Sequence, residues 1–280
     1  MVVRIGSEQA FWNGLEYRLG FAPQVVFGKP SVRDLDARKN LGPILVEANF
    51  LKNCHTIVID PGHGGADVGA SNIYTGHFEK EYTLDLAKRL QTLLIAHGWT
   101  VWLTRSNDVS VPLSARVALA EQLHGDLFIS LHFNSALPDR QQVGVETYCL
   151  TPTGMPSSLT REFADNVNLT YPNNRFDEQN LELAVHLHRA LLTANGHADR
   201  GVRKARFLTV LQGQNRPAVL IEGGYLSNPR EGRQIAEPSY RQKLAEALAQ
   251  SLGGEQAART DLAGQVPIAA PLTNLAGKIN

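Results

Sequence analysis

The chain has 280 residues, of which 43% are hydrophobic and 19% are charged. This is enough apolar material for one large domain or two small ones, and it argues against disorder along the whole chain. Lys and Arg together number 27, Asp and Glu also number 27, and the formal net charge is zero. Because a balanced chain has no general attraction for nucleic acid or anionic lipid, we expect no nucleic-acid partner.

The apolar runs of the chain are short, as in residues 218–221, and none approaches the roughly 20 residues of a membrane span. We therefore expect no membrane span, and residues 1–14 show no apolar segment of the kind found in export signals. The sequence has two cysteines, Cys54 and Cys149. Two cysteines exclude a disulfide scaffold and a thiol-rich metal site, so a metal would be held by histidines and carboxylates.

Residues 1–50 differ in pattern from the rest of the chain. Residues 11–21 and 23–32 predict short strands separated by Gly and Pro turns. Because so few strands do not close a domain alone, we interpret residues 1–50 as a β-rich lead-in, or the remnant of an upstream module, outside the centre of the main sheet. At the other end the chain turns to Gly, Ala, Pro and polar residues, which predicts a poorly ordered tail over 253–280.

Between these segments, apolar strand-like runs alternate with segments of helical periodicity. In chain order the pattern predicts a strand at 56–60, a Gly-rich loop at 61–70, a helix at 81–98, a strand at 100–104, a helix at 112–125, strands at 126–132 and 144–150, a helix at 180–196, strands at 207–211 and 217–222, and a helix at 239–254. This alternation predicts an α/β fold, a twisted and mostly parallel sheet with helices on both faces.

Three of the predicted strands lead into side chains that can bind a metal. The first leads to His63, the strand at 126–132 ends in His132, and the last ends in Glu222. Ligands of open α/β sheets bind beyond the carboxyl ends of the strands, so these side chains can converge there. Because imidazole and carboxylate groups both suit Zn²⁺, the residues alone predict a zinc site at the C-terminal ends of the strands, with these three as candidate ligands.

Two features of this region support a bound species. His63 lies in a Gly-rich loop, where the backbone can come close to a ligand. Glu222 follows four apolar residues, and a carboxylate buried there is costly unless it is paired, hydrogen-bonded or bound to a metal. The loop has neither the Gly-Lys-Ser/Thr ending of a phosphate-binding loop nor the Gly-x-Gly-x-x-Gly dinucleotide spacing, which argues against a nucleotide.

Four sequence blocks carry a resemblance to a known family. They are residues 59–70 (IDPGHGGADVGA), 78–87 (FEKEYTLDLA), 126–136 (DLFISLHFNSA) and 217–231 (PAVLIEGGYLSNPRE). With these blocks, the chain resembles the zinc-dependent N-acetylmuramoyl-L-alanine amidases, cell-wall hydrolases of the amidase-3 type. The resemblance implies that residues 51–252 are a zinc amidase catalytic domain.

The resemblance also implies roles for four residues. His63, Glu79 and His132 match the positions of the family's zinc ligands, and Glu222 matches its catalytic glutamate. Glu222 is then an expected catalyst rather than a ligand, which revises the choice made from the strand ends alone. Glu81 competes with Glu79 for the remaining ligand position, but the family's glutamate directly precedes a lysine, as Glu79 does.

The activity implied by the resemblance is hydrolysis, by zinc-activated water, of the amide between N-acetylmuramic acid and the L-alanine of the peptidoglycan stem peptide. Peptidoglycan is then the expected partner, Zn²⁺ the expected cofactor, and the periplasm or cell envelope the expected location, although no export signal is visible. Some amidases of this type carry an extra helix that plugs the site until a partner removes it. Residues 151–179 lack a long amphipathic helix pattern, so we expect a loop beside an open groove, without a plug.

Two other classes of protein compete with this interpretation. A carboxypeptidase-like enzyme, or another zinc amidohydrolase on the same scaffold, would have a tight pocket with an arginine that holds a terminal carboxylate. A non-catalytic module that only binds the cell wall would have a broken metal triad, whereas His63, Glu79 and His132 are all present.

Overall fold

The computed structural model describes residues 1–45, 50–160, 165–196 and 198–253. The strands are β1 (Val2–Val3), β2 (Gln9–Trp12), β3 (Leu15–Arg18), β4 (Gln24–Val26), β5 (Lys29–Ser31), β6 (Thr56–Pro61), β7 (Thr100–Leu103), β8 (Leu127–Asn134), β9 (Val145–Cys149), β10 (Asp199–Lys204) and β11 (Ala218–Tyr225). The α-helices are α1 (Asp34–Asp36), α2 (Gly42–Leu45), α3 (Glu79–Ala96), α4 (Leu113–Gln122), α5 (Asp177–Asn195), α6 (Thr209–Gln212), α7 (Pro229–Ala236) and α8 (Pro238–Gly253). From residue 254 onward, the predicted tail lies outside the described residues.

The main sheet has nine strands in the order β1-β2-β3-β10-β9-β11-β8-β6-β7. Strands β6, β8 and β11 are neighbours in its interior and run parallel, with Asp60 opposite Ser130 and Glu222 opposite His132. Their carboxyl ends therefore lie at one edge of the sheet, which confirms the predicted placement of these three strands. Strand β9 runs antiparallel to β11, so the sheet is mixed but mostly parallel.

Both faces of the sheet are covered by helices, as predicted. Side chains on one face, such as Ile57 and Val219, join the larger core cluster with α3, α5 and α8. Side chains on the other face, such as Val58 and Phe128, form a smaller cluster with residues of α4 and α6. Since successive side chains of a strand alternate between faces, His132 and Glu222 lie on the face of the smaller cluster. Within the described residues, the structure contains no helix both long and apolar enough to span a membrane.

The N-terminal strands extend the main sheet at one edge. Strands β1 to β3 form an antiparallel meander, and β3 pairs parallel with β10. The backbone N–H of Glu16 donates to the Asp199 carboxylate (2.6 Å), and the buried Lys204 ammonium donates to the carbonyl of Arg18 (2.8 Å). The strands predicted at 11–21 and 23–32 are present as β2 to β5, and β10 and β9 separate β3 from β11. The domain boundary at residue 50 stays a prediction.

The predicted strand at 207–211 is wrong. The chain there forms the short helix α6, whose Val210 and Leu211 are buried in the smaller core cluster with residues of α4. A short apolar run has the same composition in a buried strand and in a buried helix, so periodicity does not separate them. Strand β10, which precedes this run, was not predicted, because four of its six residues are charged.

The segment between β9 and α5 borders the face of the sheet that carries His132 and Glu222. Over residues 151–160 and 165–176, which are described, its regular structure is one 3₁₀ turn at Pro172–Phe176. These described parts of the segment contain no α-helix, and residues 161–164 lie outside the description. The expectation of a loop without a plug stays a prediction.

Candidate metal centre

A buried ion pair fixes the loop that carries His63. The Asp60 carboxylate, at the end of β6, accepts hydrogen bonds from Arg116 (2.7 Å), Ser130 (2.7 Å) and Thr104 (2.5 Å). The same guanidinium group donates to the carbonyl oxygens of Pro61 and His63, both at 2.8 Å. These contacts hold the backbone of His63 in the left-handed region, at a φ of 62°, where non-glycine residues are uncommon.

Replacing Arg116 with Leu is expected to lower the free energy of unfolding by about 3–5 kcal/mol, because the Asp60 carboxylate stays buried without its charged partner. Both side chains of the pair are at most 3% exposed. Urea denaturation followed by circular dichroism measures the change. The exposed Arg189 on α5 provides the control, since Arg189→Leu should change stability by less than about 0.5 kcal/mol. Equal losses in the two variants would contradict this assignment.

Glu79 joins the two histidines. It is the first residue of α3, and its carboxylate oxygens lie 2.9 Å from Nδ1 of His132 and 3.1 Å from Nε2 of His63. The carboxylate also accepts the backbone N–H groups of Phe133 (3.1 Å) and Ala70 (2.9 Å). One ligand atom from each of His63, Glu79 and His132 lies within 4.8 Å of the other two, which is a geometry that can hold a metal ion.

Glu81, the other candidate glutamate, stabilises the start of α3. The Glu81 carboxylate accepts the backbone N–H of Phe78 (3.1 Å) at the start of α3 and contacts Nδ1 of His77 (2.8 Å). A glutamate that accepts an N–H group in this way satisfies a donor at a helix N-terminus. The geometry therefore favours Glu79 over Glu81 as the carboxylate of the site.

The charges within the cluster stabilise one another. Burial raises the pKa of Glu79, but hydrogen bonds from His132 and His63 outweigh it and hold this pKa well below its usual range. Burial lowers the pKa of His63, and its contacts with Glu79 and Asp67 outweigh that effect and raise it. The Asp67 carboxylate lies 2.8 Å from Nδ1 of His63. A carboxylate on the far nitrogen of the ring is the usual way in which proteins orient a metal-binding histidine.

Two glycines make room for the cluster. A Cβ atom on Gly62 would overlap the His132 ring, and one on Gly69 would lie 2.6 Å from both Glu79 Oε2 and Cδ2 of His63. Gly69 also has a positive φ of 67°. The Gly-rich loop is therefore needed because the backbone passes directly beside the three candidate ligands.

Replacing Gly62 with Ala is expected to weaken zinc binding by about 10- to 100-fold, the effect typical of displacing a group that orients a metal ligand. Titration against a chelator measures the affinity. Gly98→Ala is the matched control, because a Cβ there meets open space and adds only backbone strain at a φ of 88°, at the far end of α3. A Gly62 variant that binds zinc as tightly as the control would argue against this role for the loop.

The structure places Glu222 beside the cluster rather than in it. Glu222 lies opposite His132 in the parallel pairing of β11 with β8, and opposite Glu146 in the pairing with β9. It is 8% exposed. In the described part of the chain, the ligand atoms that lie within 4.8 Å of one another belong to His63, Glu79 and His132. The geometry therefore favours Glu79, rather than Glu222, as the carboxylate ligand.

A surface cleft opens onto one side of the cluster, with a volume of about 300 Å³. Among the residues that line it are His63, His132, Val111, Leu113 and Val210. The donor set of two imidazoles and one carboxylate suits zinc, because both kinds of group are common zinc ligands and three ligands leave a position for water or substrate. The fold and the cluster together have the arrangement of a hydrolase with a candidate metal site.

Comparison with known proteins then identifies the family. The family model described as N-acetylmuramoyl-L-alanine amidase matches residues 57–253, and the chain belongs to this family. The chain is 29% identical over 223 residues to AmiA of Escherichia coli K12, covering 70% of this chain and 74% of AmiA. It is 36% identical over 204 residues to LytC of Bacillus subtilis 168, covering 72% of this chain but only 36% of LytC.

Solved structures of amidases share the fold. The catalytic domain of CwlV, an N-acetylmuramoyl-L-alanine amidase from Bacillus (Paenibacillus) polymyxa var. colistinus, is 29% identical with a TM-score of 0.58, covering 70% of this chain and 95% of that domain. AmiC2 of Nostoc punctiforme is 31% identical with a TM-score of 0.58, covering 71% of this chain and 94% of that structure. These similarities confirm the predicted fold class and the family that the sequence blocks indicated.

Proposed function

We propose that this protein is a zinc-dependent N-acetylmuramoyl-L-alanine amidase. It would hydrolyse the amide between the lactyl group of N-acetylmuramic acid and the L-alanine of the peptidoglycan stem peptide. The observation that carries the proposal is the cluster of His63, Glu79 and His132 with Glu222 beside it, in a chain of the amidase family. AmiA and LytC are both named N-acetylmuramoyl-L-alanine amidases, which supports the choice of bond.

The three clustered residues would hold the metal. Two imidazole nitrogens and the Glu79 carboxylate face one another within 4.8 Å, and Asp67 and the backbone N–H groups of Phe133 and Ala70 hold them in place. When bound at such a site, zinc lowers the pKa of water towards about 7 and polarises a carbonyl group.

Glu222 would move the protons. As the strand neighbour of His132, its carboxylate can accept a proton from the attacking water and then pass it to the departing amine of alanine. General acid–base catalysis by one carboxylate needs no covalent intermediate, so no serine or cysteine nucleophile is required. The two cysteines are consistent with this, since both are buried and burial raises the pKa of Cys149 to about 11, which disfavours a reactive thiolate.

The shape of the site favours a polymeric substrate over the two alternatives. The cleft beside the cluster is open to solvent, whereas a carboxypeptidase would enclose the terminal residue in a tight pocket. A module that only binds the wall would have no reason to keep all three candidate ligands together. Action on peptidoglycan would place the protein in the periplasm or cell envelope.

Digestion of purified sacculi tests the proposal. The zinc-loaded protein should release stem peptides with a free L-alanine amine, detected by mass spectrometry, and a chelator should stop the reaction until zinc is restored. Release of a single C-terminal amino acid would instead show a carboxypeptidase. Binding to sacculi with no new amine, at full zinc occupancy, would show a non-catalytic module.

A further inference from the structure

Two arginines of β10 lie on the opposite side of Glu222 from the metal cluster. Glu146, on β9, is the direct strand neighbour of Glu222, and its carboxylate contacts Nε of Arg200 (2.9 Å) and Nε of Arg203 (3.2 Å). Neighbouring residues of paired strands share a face of the sheet. The order across this face is therefore His132, Glu222, Glu146 and then the two guanidinium groups.

Glu146 is a buried anchor for this arginine pair. Its side chain is 2% exposed, and it also accepts hydrogen bonds from Asn134 (2.8 Å) and from the hydroxyl of Tyr148 (2.9 Å). The side chains of Arg200 and Arg203 are 27% and 14% exposed. Glu146 thus accepts a hydrogen bond from Nε of Arg200 and forms an ion pair with Arg203, while each arginine side chain stays partly exposed.

The arginine pair has hydrogen-bond donors to spare. Within the described chain, Nε of Arg203 donates to the carbonyl of Arg200. Nε of Arg200 donates to the Glu146 carboxylate, and its Nη1 donates to Gln142 (2.7 Å). The terminal nitrogens of Arg203 and Nη2 of Arg200 are thereby left for a ligand. A planar guanidinium group with parallel N–H donors matches the geometry of a carboxylate.

Other arginines near the cluster are not available in this way. All three nitrogens of Arg116 donate to Asp60 or to backbone carbonyl groups of the Gly-rich loop and its neighbours. All three nitrogens of Arg105 likewise donate, to carbonyl groups of Pro61, Asn107 and Gly62 among others. These two arginines hold the backbone, whereas the arginine pair of β10 is placed to meet a substrate.

The position of the pair suggests how a substrate would lie. The cleft lined by Val111, Leu113 and Val210 opens on one side of the cluster, and its lining does not include the arginine pair. In the proposed substrate the lactyl carboxyl group is part of the scissile amide, so near this bond free carboxylates occur on the peptide and not on the sugar. A peptide on the arginine side would leave the cleft for the glycan.

We propose that Arg200 and Arg203 bind a carboxylate of the stem peptide and so set the enzyme's preference for acidic over amidated peptides. The proposal rests on the proposed function, because it requires the muramoyl–alanine bond at the metal. The arginine pair would then bind the stem peptide, which is the leaving group of the hydrolysis. The charge of the substrate should therefore affect KM more than kcat.

The test compares two small substrates, N-acetylmuramoyl-L-alanyl-D-glutamate and its diamide. For the zinc-loaded wild-type protein, KM should be about 10- to 100-fold lower for the free acid, as expected for a charge-assisted hydrogen bond. Arg203→Gln should raise KM for the acid by about the same factor. It should leave kcat nearly unchanged and barely affect the diamide. Arg203→Lys should recover part of the preference.

Arg189→Gln changes an exposed residue on the opposite face of the sheet and should leave KM and kcat unchanged for both substrates. Binding of each compound to zinc-loaded Glu222→Gln protein, by calorimetry, gives the same comparison without turnover. If Arg203→Gln and Arg200→Gln weaken the binding of the acid and of the diamide by the same factor, the arginine assignment is wrong. It is also wrong if neither variant weakens the binding of either compound. Binding with a preference for the acid but no cleavage by the wild-type protein would instead overturn the proposed function.

Discussion

Replacing Glu222 with Gln is expected to lower the rate of sacculus hydrolysis by about 10²- to 10⁴-fold, the usual effect of removing a general base. The amide has nearly the same shape as the carboxylate, so the packing of β11 should survive, but it cannot accept a proton from water. Because the grouped ligand atoms belong to His63, Glu79 and His132, zinc content should stay at one ion per chain. The measurement pairs the hydrolysis rate with zinc stoichiometry on the same preparation.

Glu246→Gln is the matched control for this variant. Glu246 is exposed on α8, a helix on the opposite face of the sheet, and its substitution should change neither the rate nor the zinc content. Loss of zinc from the Glu222 variant would make Glu222 a ligand after all. A near-normal rate with zinc bound would remove it from the reaction.

The parts of the fold that follow from apolar patterning were predictable from the sequence. Residues 56–59 and 218–221 are uninterrupted apolar or β-branched runs, and such runs form strands covered on both faces. Because parallel neighbours end at one edge of the sheet, the proximity of His132 and Glu222 also followed from the pattern.

The features that apolar patterning did not predict depend on charged side chains in unusual positions. Glu79 begins a helix rather than ending a strand, so its place in the cluster could not be predicted from the strand ends. The signal for Glu79 was the Glu-Lys block known from the family. Strand β10 was missed because Arg200 and Arg203 look like loop residues until their partner Glu146 is known. The charged residues that made the strand hard to predict form the arginine pair next to Glu146.

Replacing Glu79 with Gln is expected to weaken zinc binding by at least about 100-fold, a lower bound taken from the effect of disturbing groups that merely orient a ligand. The change removes the negative charge that faces both histidines, and it puts an amide NH₂ group where one oxygen now accepts a backbone N–H. The rate of hydrolysis should fall with zinc content and recover in part when excess zinc is supplied.

The contrast with Glu222→Gln makes the two glutamates separable. Chelator titration of both variants should give near wild-type zinc affinity for Glu222→Gln and greatly reduced affinity for Glu79→Gln. Glu81→Gln, two residues further along α3, should keep both zinc and activity, since its amide oxygen can still accept the Phe78 N–H. If Glu81→Gln rather than Glu79→Gln released the zinc, the ligand assignment made here would fail, because the metal would then lie nearer His77 than His63.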